Sequence, residues 1–269
     1  MDKIPFFVER IEKGKNIKRN IEKLRLKGVK RILVLGGDGT LFHIANSIEK
    51  GFNIPFALFP SGSGNDFIKS LFGTNKKFDF FYRVFKKGEV KKTRIGEIKQ
   101  GEKKYYFTNA AGLGFDAKIA KRALKIKNLS GLLRYLLSLF IELRGKISYE
   151  MEIKTETNKL EGRFLLLGFG IGKYLGGGFF LFPDASPFED KLRVCLIKDM
   201  NKVNVLKKLP HAIKGTHLKL PECIYFKANE IFINLKEEIC MQLDGEVFKT
   251  EDRKIKIKIS EKELPILYT

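Results

Sequence analysis

The sequence predicts an α/β N-terminal domain with a parallel sheet, followed by a mainly antiparallel β C-terminal domain. Three observations predict this. Helix-length and strand-length apolar runs alternate through residue 91. Short segments of alternating polarity dominate from residue 92 onward. Each of the two early strand-like runs ends in a glycine-rich turn.

Taken in order, Ile17, Ile21 and Leu24 recur at helical spacing between Lys15 and Leu26, and Gly28 is placed to end that helix. Arg31–Leu35 reads as a short strand apolar on both faces, as in a covered parallel sheet. Thr40–Lys50 reads as a second helix with Gly51 just past it, and Ile54–Phe59 as a second strand. Helix, strand, helix, strand describes an α/β unit. Later come strand-like Lys92–Ile98, Lys104–Asn109, Ser148–Thr155, Gly162–Gly170, Lys191–Ile197, Glu230–Leu235 and Lys254–Ile259, the last alternating strictly. One helical exception spans Ile119–Arg144, with Leu132, Leu133, Leu136, Leu137, Phe140 and Ile141 as an apolar stripe. The expected divisions are 1–91, 92–259 and a 260–269 tail placed to return to the first domain.

Apolar residues make up 43% of the 269, including 24 Phe, enough for a real core. Lys and Arg number 52 against 31 Asp and Glu, a formal +21. That balance favours anionic partners: nucleotide phosphates, nucleic acid or an anionic membrane face. A lysine- and glutamate-rich surface of thermophilic type gives the same count. Cys195, Cys223 and Cys240 stand apart without CxxC spacing, which reads as buried thiols in a reducing compartment, not a disulfide framework or zinc site. The most apolar stretches, around Leu132–Ile141 and Phe164–Ile171, fall short of the about 20 residues a bilayer span needs. With no signal-peptide pattern, the expectation is a soluble cytoplasmic protein, peripheral to the membrane.

The stretch Val34–Phe42, VLGGDGTLF, carries the first chemistry. Gly36, Gly37 and Gly39 let backbone N–H groups approach phosphate oxygens at a helix N-terminus, where Thr40 follows. Asp38 would repel a bare phosphate, and makes sense if Mg²⁺ lies between them. The loop is neither a Walker A sequence nor a GxGxxG fingerprint. Taken alone, it reads equally well as a tight turn with Asp38 capping its helix. A second cluster, Pro60–Asp66, follows the next strand. A parallel sheet brings both loops to one carboxyl edge, where Gly62, Ser63, Gly64, Asn65 and Asp66 would complete a nucleotide cradle.

GGDGTL followed by PSGSGNDF resembles the catalytic domain of the diacylglycerol kinase family. That family includes bacterial soluble lipid kinases and is related to sphingosine and ceramide kinases and, in fold, to NAD kinase. Phe107–Asp116, Gly176–Gly178 with Pro183–Ala185, and Leu243–Glu246 resemble further family blocks, in family order. The resemblance implies transfer of the γ-phosphoryl of ATP to a lipid hydroxyl such as that of diacylglycerol. It implies that Gly37, Asp38, Gly39 and Thr40 hold phosphates and metal, with Ser63 in the place of the family's small hydroxyl residue. Asp244 and Glu246 would sit at an interdomain cleft, Glu246 as general base; on its own, Asp244-Gly-Glu246 reads as a hairpin turn. Phe188–Val194 resembles a family Mg²⁺ segment, with Glu189 on the ligand aspartate, Asp190 on a glycine, and the carbonyls of Leu192 and Val194 completing the site. Phe42 and His43 replace the family's Asn-Glu, and His43 receives no role. Met1–Val8 is a stub of the family's first strand, and Arg10 falls near another nucleotide contact.

Lys118, Lys121, Arg122, Lys125 and Lys127 precede the apolar segment Leu129–Leu143, a combination suited to an anionic lipid surface. An amphipathic stripe more commonly packs on its own sheet. Phe179, Phe180 and Phe182 could line an acyl pocket, but phenylalanine clusters are more often core. Two other readings stay open: an NAD kinase-like enzyme, and a degenerate, non-catalytic lipid-binding member. No RNA-binding signature supports nucleic acid as a partner. Homodimer pairing through the second domain's strand edges, and the identity of the lipid, are left open.

Overall fold

The computed structural model describes residues 7–10, 16–129, 131–156 and 158–269. Lys15 and most of the Met1–Val8 stub lie outside the described residues. The first layer comprises α1 (Ile17–Leu26), β1 (Ile32–Gly36), α2 (Asp38–Ser47), β2 (Phe56–Pro60), α3 (Asp66–Phe72) and α4 (Phe78–Lys87). Gly28, at φ +69°, donates its N–H to Arg25 O and turns the chain out of α1. Strands β1 and β2 pair in parallel from Ile32 opposite Phe56 to Gly36 opposite Pro60, so both glycine loops leave one edge side by side. Phe56, Phe67, Leu71, Phe72 and Phe81 fill the core beneath them.

The second part comprises β3 (Glu89–Gln100), β4 (Lys103–Phe107), β5 (Ala110–Gly114), α5 (Phe115–Ala123), α6 (Gly131–Glu142), β6 (Tyr149–Lys154), β7 (Lys159–Gly170) and β8 (Leu192–Lys198). It continues through α7 (Lys202–Lys214), a 3₁₀ turn His217–Lys219, β9 (Cys223–Ala228), β10 (Glu230–Leu235), β11 (Cys240–Leu243), β12 (Glu246–Lys249) and β13 (Lys254–Tyr268). The sheet runs β1-β2-β13-β10-β6-β7-β5-β11-β12, with β3–β4 added on β13 and β8–β9 on β7. The architecture is an N-terminal α/β layer with parallel strands and a mainly antiparallel C-terminal part.

Strand β13 serves both cores. Ile255 and Ile257 pack in the C-terminal one. After a register shift between Ile259 and Glu263, the strand continues along β3, and Ile266 pairs in parallel with Phe56 of β2. Leu264, Ile266 and Leu267 thereby enter the N-terminal core.

Three expectations need correcting. Among the described residues strand β1 is covered on one face only: Val34 is buried, but Leu33 and Leu35 are 47% and 65% exposed, and their face opens into a cleft. The segment Ile119–Arg144 is two helices. Leu124–Gly131 carries no apolar period, and Gly131, at φ +53°, redirects the chain. Phe115 and Ile119 of α5 then pack with Leu139 of α6, and Arg122 reaches Glu142 at 2.7 Å. All three cysteines are free, but only Cys195 is buried; its Sγ lies 3.9 Å from that of Cys223.

Candidate active site

The two glycine loops touch back to back. A Cβ on Gly37 would stand 2.7 Å from Gly62 Cα, and one on Gly62 would stand 2.5 Å from Gly37 Cα, so neither position tolerates a side chain. A Cβ on Gly36 would meet Thr40 Oγ1 at 2.6 Å. Asn65, left-handed at φ 55°, closes its own loop: Oδ1 accepts from Gly62 N at 3.0 Å and Nδ2 donates to Gly62 O at 2.7 Å. It shapes the cradle from behind.

Asp38 does cap a helix, but the neighbouring one. Its Oδ2 accepts from Asp66 N and its Oδ1 from Phe67 N, both at 3.0 Å, at the start of α3. Asp66 Oδ2 in turn accepts from Gly177 N at 2.7 Å, which draws in the Gly176–Gly178 turn with its three positive φ angles. Burial pushes both carboxyls above the ordinary range, and for Asp66 the charge of Asp38 adds to it. Among the described charged groups Lys69 opposes, 3.4 Å from Asp66 Oδ1.

Asp244 sits at φ 50° in the β11–β12 turn and accepts four hydrogen bonds. Thr108 N and Oγ1 reach Oδ2 at 2.6 and 2.9 Å; Asn109 N and Ala110 N reach Oδ1 at 2.9 and 3.0 Å. Burial pushes its pKa up to about 7 against those donors. Asp244 therefore locks the turn onto the β4–β5 junction. Two residues on, Glu246 has no hydrogen-bond or ion-pair partner among the described residues. Its Oε1 lies only 2.9 Å from where a Cβ on Gly39 would sit.

These parts share one cleft of about 2010 Å³. Gly37, Asp38, Gly39 and Thr40 line it from the first loop, and Gly62, Ser63, Gly64 and Asp66 from the second. Asp244 and Glu246 line it from the β11–β12 turn, and His43 also faces it. Gly36 and Asn65 lie behind the lining. Sequence reasoning missed Arg134 and Tyr135 of α6, which also face the cleft, because they belong to a helix read as one piece. It also gave no role to Asn109, whose amide donates to Tyr174 O at 2.7 Å, or to Asp116. Asp116 is buried with Oδ1 lacking a partner, and burial pushes its pKa up to about 7. The Phe107–Asp116 block was the available signal for both.

Whether the residues fit the implied groups has two answers. Bare glycine backbone facing Asp38 and Asp66, carboxyls raised chiefly by burial with Lys69 alone opposing among the charged groups described, fits a Mg²⁺-bound nucleotide. The Phe188–Val194 segment does not fit a metal. Glu189 Oε2 accepts from the Arg193 guanidinium at 2.6 Å and lies 3.7 Å from Lys227 Nζ. Leu192 and Val194 belong to β8, opposite Ala228 and Phe226 of β9. Glu189, Leu192 and Val194, expected to hold Mg²⁺, are thus engaged by protein partners in this structure.

Comparison with known proteins agrees with this geometry. Residues 2–98 match the diacylglycerol kinase catalytic domain, and residues 109–261 match the YegS C-terminal NAD kinase beta sandwich-like domain. A Bacillus subtilis (strain 168) diacylglycerol kinase is 27% identical over 217 residues, 80% of this chain and 70% of that one. A Mycobacterium tuberculosis (strain CDC 1551 / Oshkosh) diacylglycerol kinase is 25% identical over 210 residues, 77% of this chain and 67% of that one. The crystal structure of a Bacillus anthracis diacylglycerol kinase superposes with a TM-score of 0.69 at 20% identity, covering 97% of this chain and 84% of that one. With both domains matched in order and the glycine loops, Asp244 and Glu246 gathered at one cleft, the chain belongs to the diacylglycerol kinase catalytic-domain family and is a kinase.

Proposed function

We propose that the chain transfers the γ-phosphoryl of ATP, bound with Mg²⁺, to the hydroxyl of a membrane lipid such as diacylglycerol. The observation that carries this reading is the unpaired Glu246 carboxylate beside Gly39, in the cleft that Asp38 and Asp66 also line. Phosphoryl transfer rests on positioning and charge neutralisation, with a carboxylate to orient the acceptor hydroxyl or take its proton. Gly37, Gly39, Gly62 and Gly64 offer backbone close to the phosphates. Asp38 and Asp66 would face Mg²⁺ bound with the nucleotide, whose charge would add to that of Lys69. Asp244 holds the turn so that Glu246 meets the hydroxyl.

Helix α6 supports an acceptor drawn from a membrane. Leu133, Leu137 and Phe140 are 64%, 42% and 53% exposed on it, and Leu124, which caps the C-terminus of α5, is 61% exposed. Leu124, Arg134 and Tyr135 also line the cleft, so this apolar face adjoins the cleft mouth. Lys121, Lys125 and Lys127 are exposed beside it, whereas Lys118 and Arg122 are drawn to Glu142. Exposed apolar side chains with exposed lysines nearby in the chain suit an anionic bilayer. Among the described residues no helix is long and apolar enough to cross a membrane.

The test is incubation with labelled ATP and Mg²⁺ plus either NAD or vesicles carrying one hydroxyl lipid at a time, with and without anionic lipid. Labelled lipid, enhanced by anionic vesicles, is the expected product. Label in NAD overturns the acceptor assignment. Vesicle binding with no turnover on any lipid favours a non-catalytic member.

A further inference from the structure

The loop where the family resemblance sets a divalent cation already holds a positive charge. Arg193 is 1% exposed in β8, and its guanidinium is enclosed by oxygens of residues 184–191. Nε donates to Asp184 Oδ2 at 2.9 Å. One terminal nitrogen donates to Asp184 O at 2.9 Å and Glu189 Oε2 at 2.6 Å, and the other reaches Lys191 O at 3.3 Å. Two carboxylates and two backbone carbonyls thus converge on one planar cation, at N–H···O lengths and not at the 2.0–2.1 Å that Mg²⁺ requires. Lys227, opposite Arg193 on β9, stands 3.8 and 3.7 Å from the two carboxylates. The remaining acid of the loop, Asp190, pairs with Arg94 at 2.6 Å.

We propose that Arg193 is a built-in replacement for a structural cation: the guanidinium gathers the 184–191 loop, and the loop takes up no divalent metal at Glu189. Charge decides between the two occupants. Asp184 and Glu189 are matched by Arg193 and Lys227, so an incoming Mg²⁺ meets two resident cations and no surplus anion. A guanidinium also fixes shape, since its fork of donors is rigid and does not dissociate. The loop of this chain then keeps its form in chelator, and its metal requirement is confined to the nucleotide cleft.

The experiment uses nucleotide-free protein and Mn²⁺ as a paramagnetic probe. Wild type and Glu189→Gln are titrated with Mn²⁺ by electron paramagnetic resonance, and their thermal midpoints are read in EDTA and in MgCl₂. The expected result is the same number of bound Mn²⁺ in both proteins and a Mg²⁺ shift in midpoint common to both. A Mn²⁺ equivalent, or a Mg²⁺ stabilisation, that Glu189→Gln removes overturns the proposal. Arg193→Met sharpens it: opening the cage lowers the midpoint in EDTA, and Mg²⁺ now restores part of the loss. A folded Arg193→Met protein indifferent to Mg²⁺ overturns the replacement; if that variant does not fold, the Glu189→Gln comparison decides alone. No arm needs turnover, so failure here leaves the proposed kinase reaction untouched.

Discussion

Two clusters of carboxylates in this protein have opposite fates. Around the glycine loops, burial pushes the carboxyls of Asp38, Asp66 and Asp244 upward, and Lys69 is the cation close at hand. In the 184–191 loop, a hydrogen bond from Arg193 holds Glu189 below its ordinary range. Burial works against Asp184, yet hydrogen bonds from Tyr225 and Arg193 still bring it below. The chain supplies its own countercharge to the second cluster and withholds it from the first. Buried charge without a partner is costly. Carboxylates kept in this way at a cleft suit the proposed nucleotide site, a distinction that residue types alone do not give.

The largest expected difference between the clusters is catalytic. Glu246→Gln keeps the shape and removes the base, so turnover falls about 10²–10⁴-fold with little change in KM for ATP. Glu189→Gln, the same change in the satisfied cluster, leaves turnover in place. Steady-state kinetics of the two variants check this, and a loss below about tenfold for Glu246→Gln removes its role as base. Next in size is Asp244→Ala. It strands three buried backbone N–H groups and the Thr108 hydroxyl, and costs about 3 kcal/mol or more in urea unfolding. A cost near zero would mean that water replaces the carboxylate and that the turn is held by other contacts.

Asp116, a buried carboxyl outside both clusters, and the Arg193-bound pair pull the pH dependence of stability in opposite directions. Asp116 is raised from 3.8 to about 7, so the folded state binds its proton more tightly than the unfolded chain does. Its contribution is a stability that declines as pH climbs from about 4 to about 7, worth roughly 4 kcal/mol for a shift of that size. Asp184 and Glu189 lie below their unfolded values of 3.8 and 4.5. Their contribution is in place above those values and is lost as pH falls through the folded ones. Urea midpoints between pH 4 and 8 should therefore decline toward neutrality in the wild type and decline less in Asp116→Asn. Equal slopes in the two proteins would show that Asp116 stays ionised throughout.

What the sequence revealed and what it hid follow the same divide. The glycine loops were legible because bare backbone between a strand and a helix is a local signal, and parallel pairing then set both loops at one edge. The partners of the acids were not legible. Thr108, Asn109 and Ala110 lie more than 130 positions from Asp244, and Gly177 lies 111 from Asp66. Matching Phe188–Val194 to a metal segment overlooked Arg193 within it, since no spacing rule tells whether an arginine in a strand turns toward its own loop. The break between α5 and α6 was missed because the leucine stripe of Leu132–Ile141 drew the helix reading back across residues 124–131, which carry no apolar period of their own. Strand β1 looked covered on both faces because apolar composition does not reveal that the face of Leu33 and Leu35 opens into the cleft.

The smallest expected effect tests whether the Arg193 cage is self-sufficient. Lys227 is 48% exposed and 3.7–3.8 Å from the two carboxylates, without the close contacts that Arg193 makes. A half-exposed pair at that distance is screened by water and salt, so Lys227→Met should cost under about 1 kcal/mol, and less at high ionic strength. Urea unfolding at low and high salt measures this directly. A loss of several kcal/mol that salt does not reduce would mean that the guanidinium alone does not balance Asp184 and Glu189. The contrast with the glycine-loop cluster would then be one of degree: both would be short of positive charge, and the 184–191 loop would again need a cation from outside.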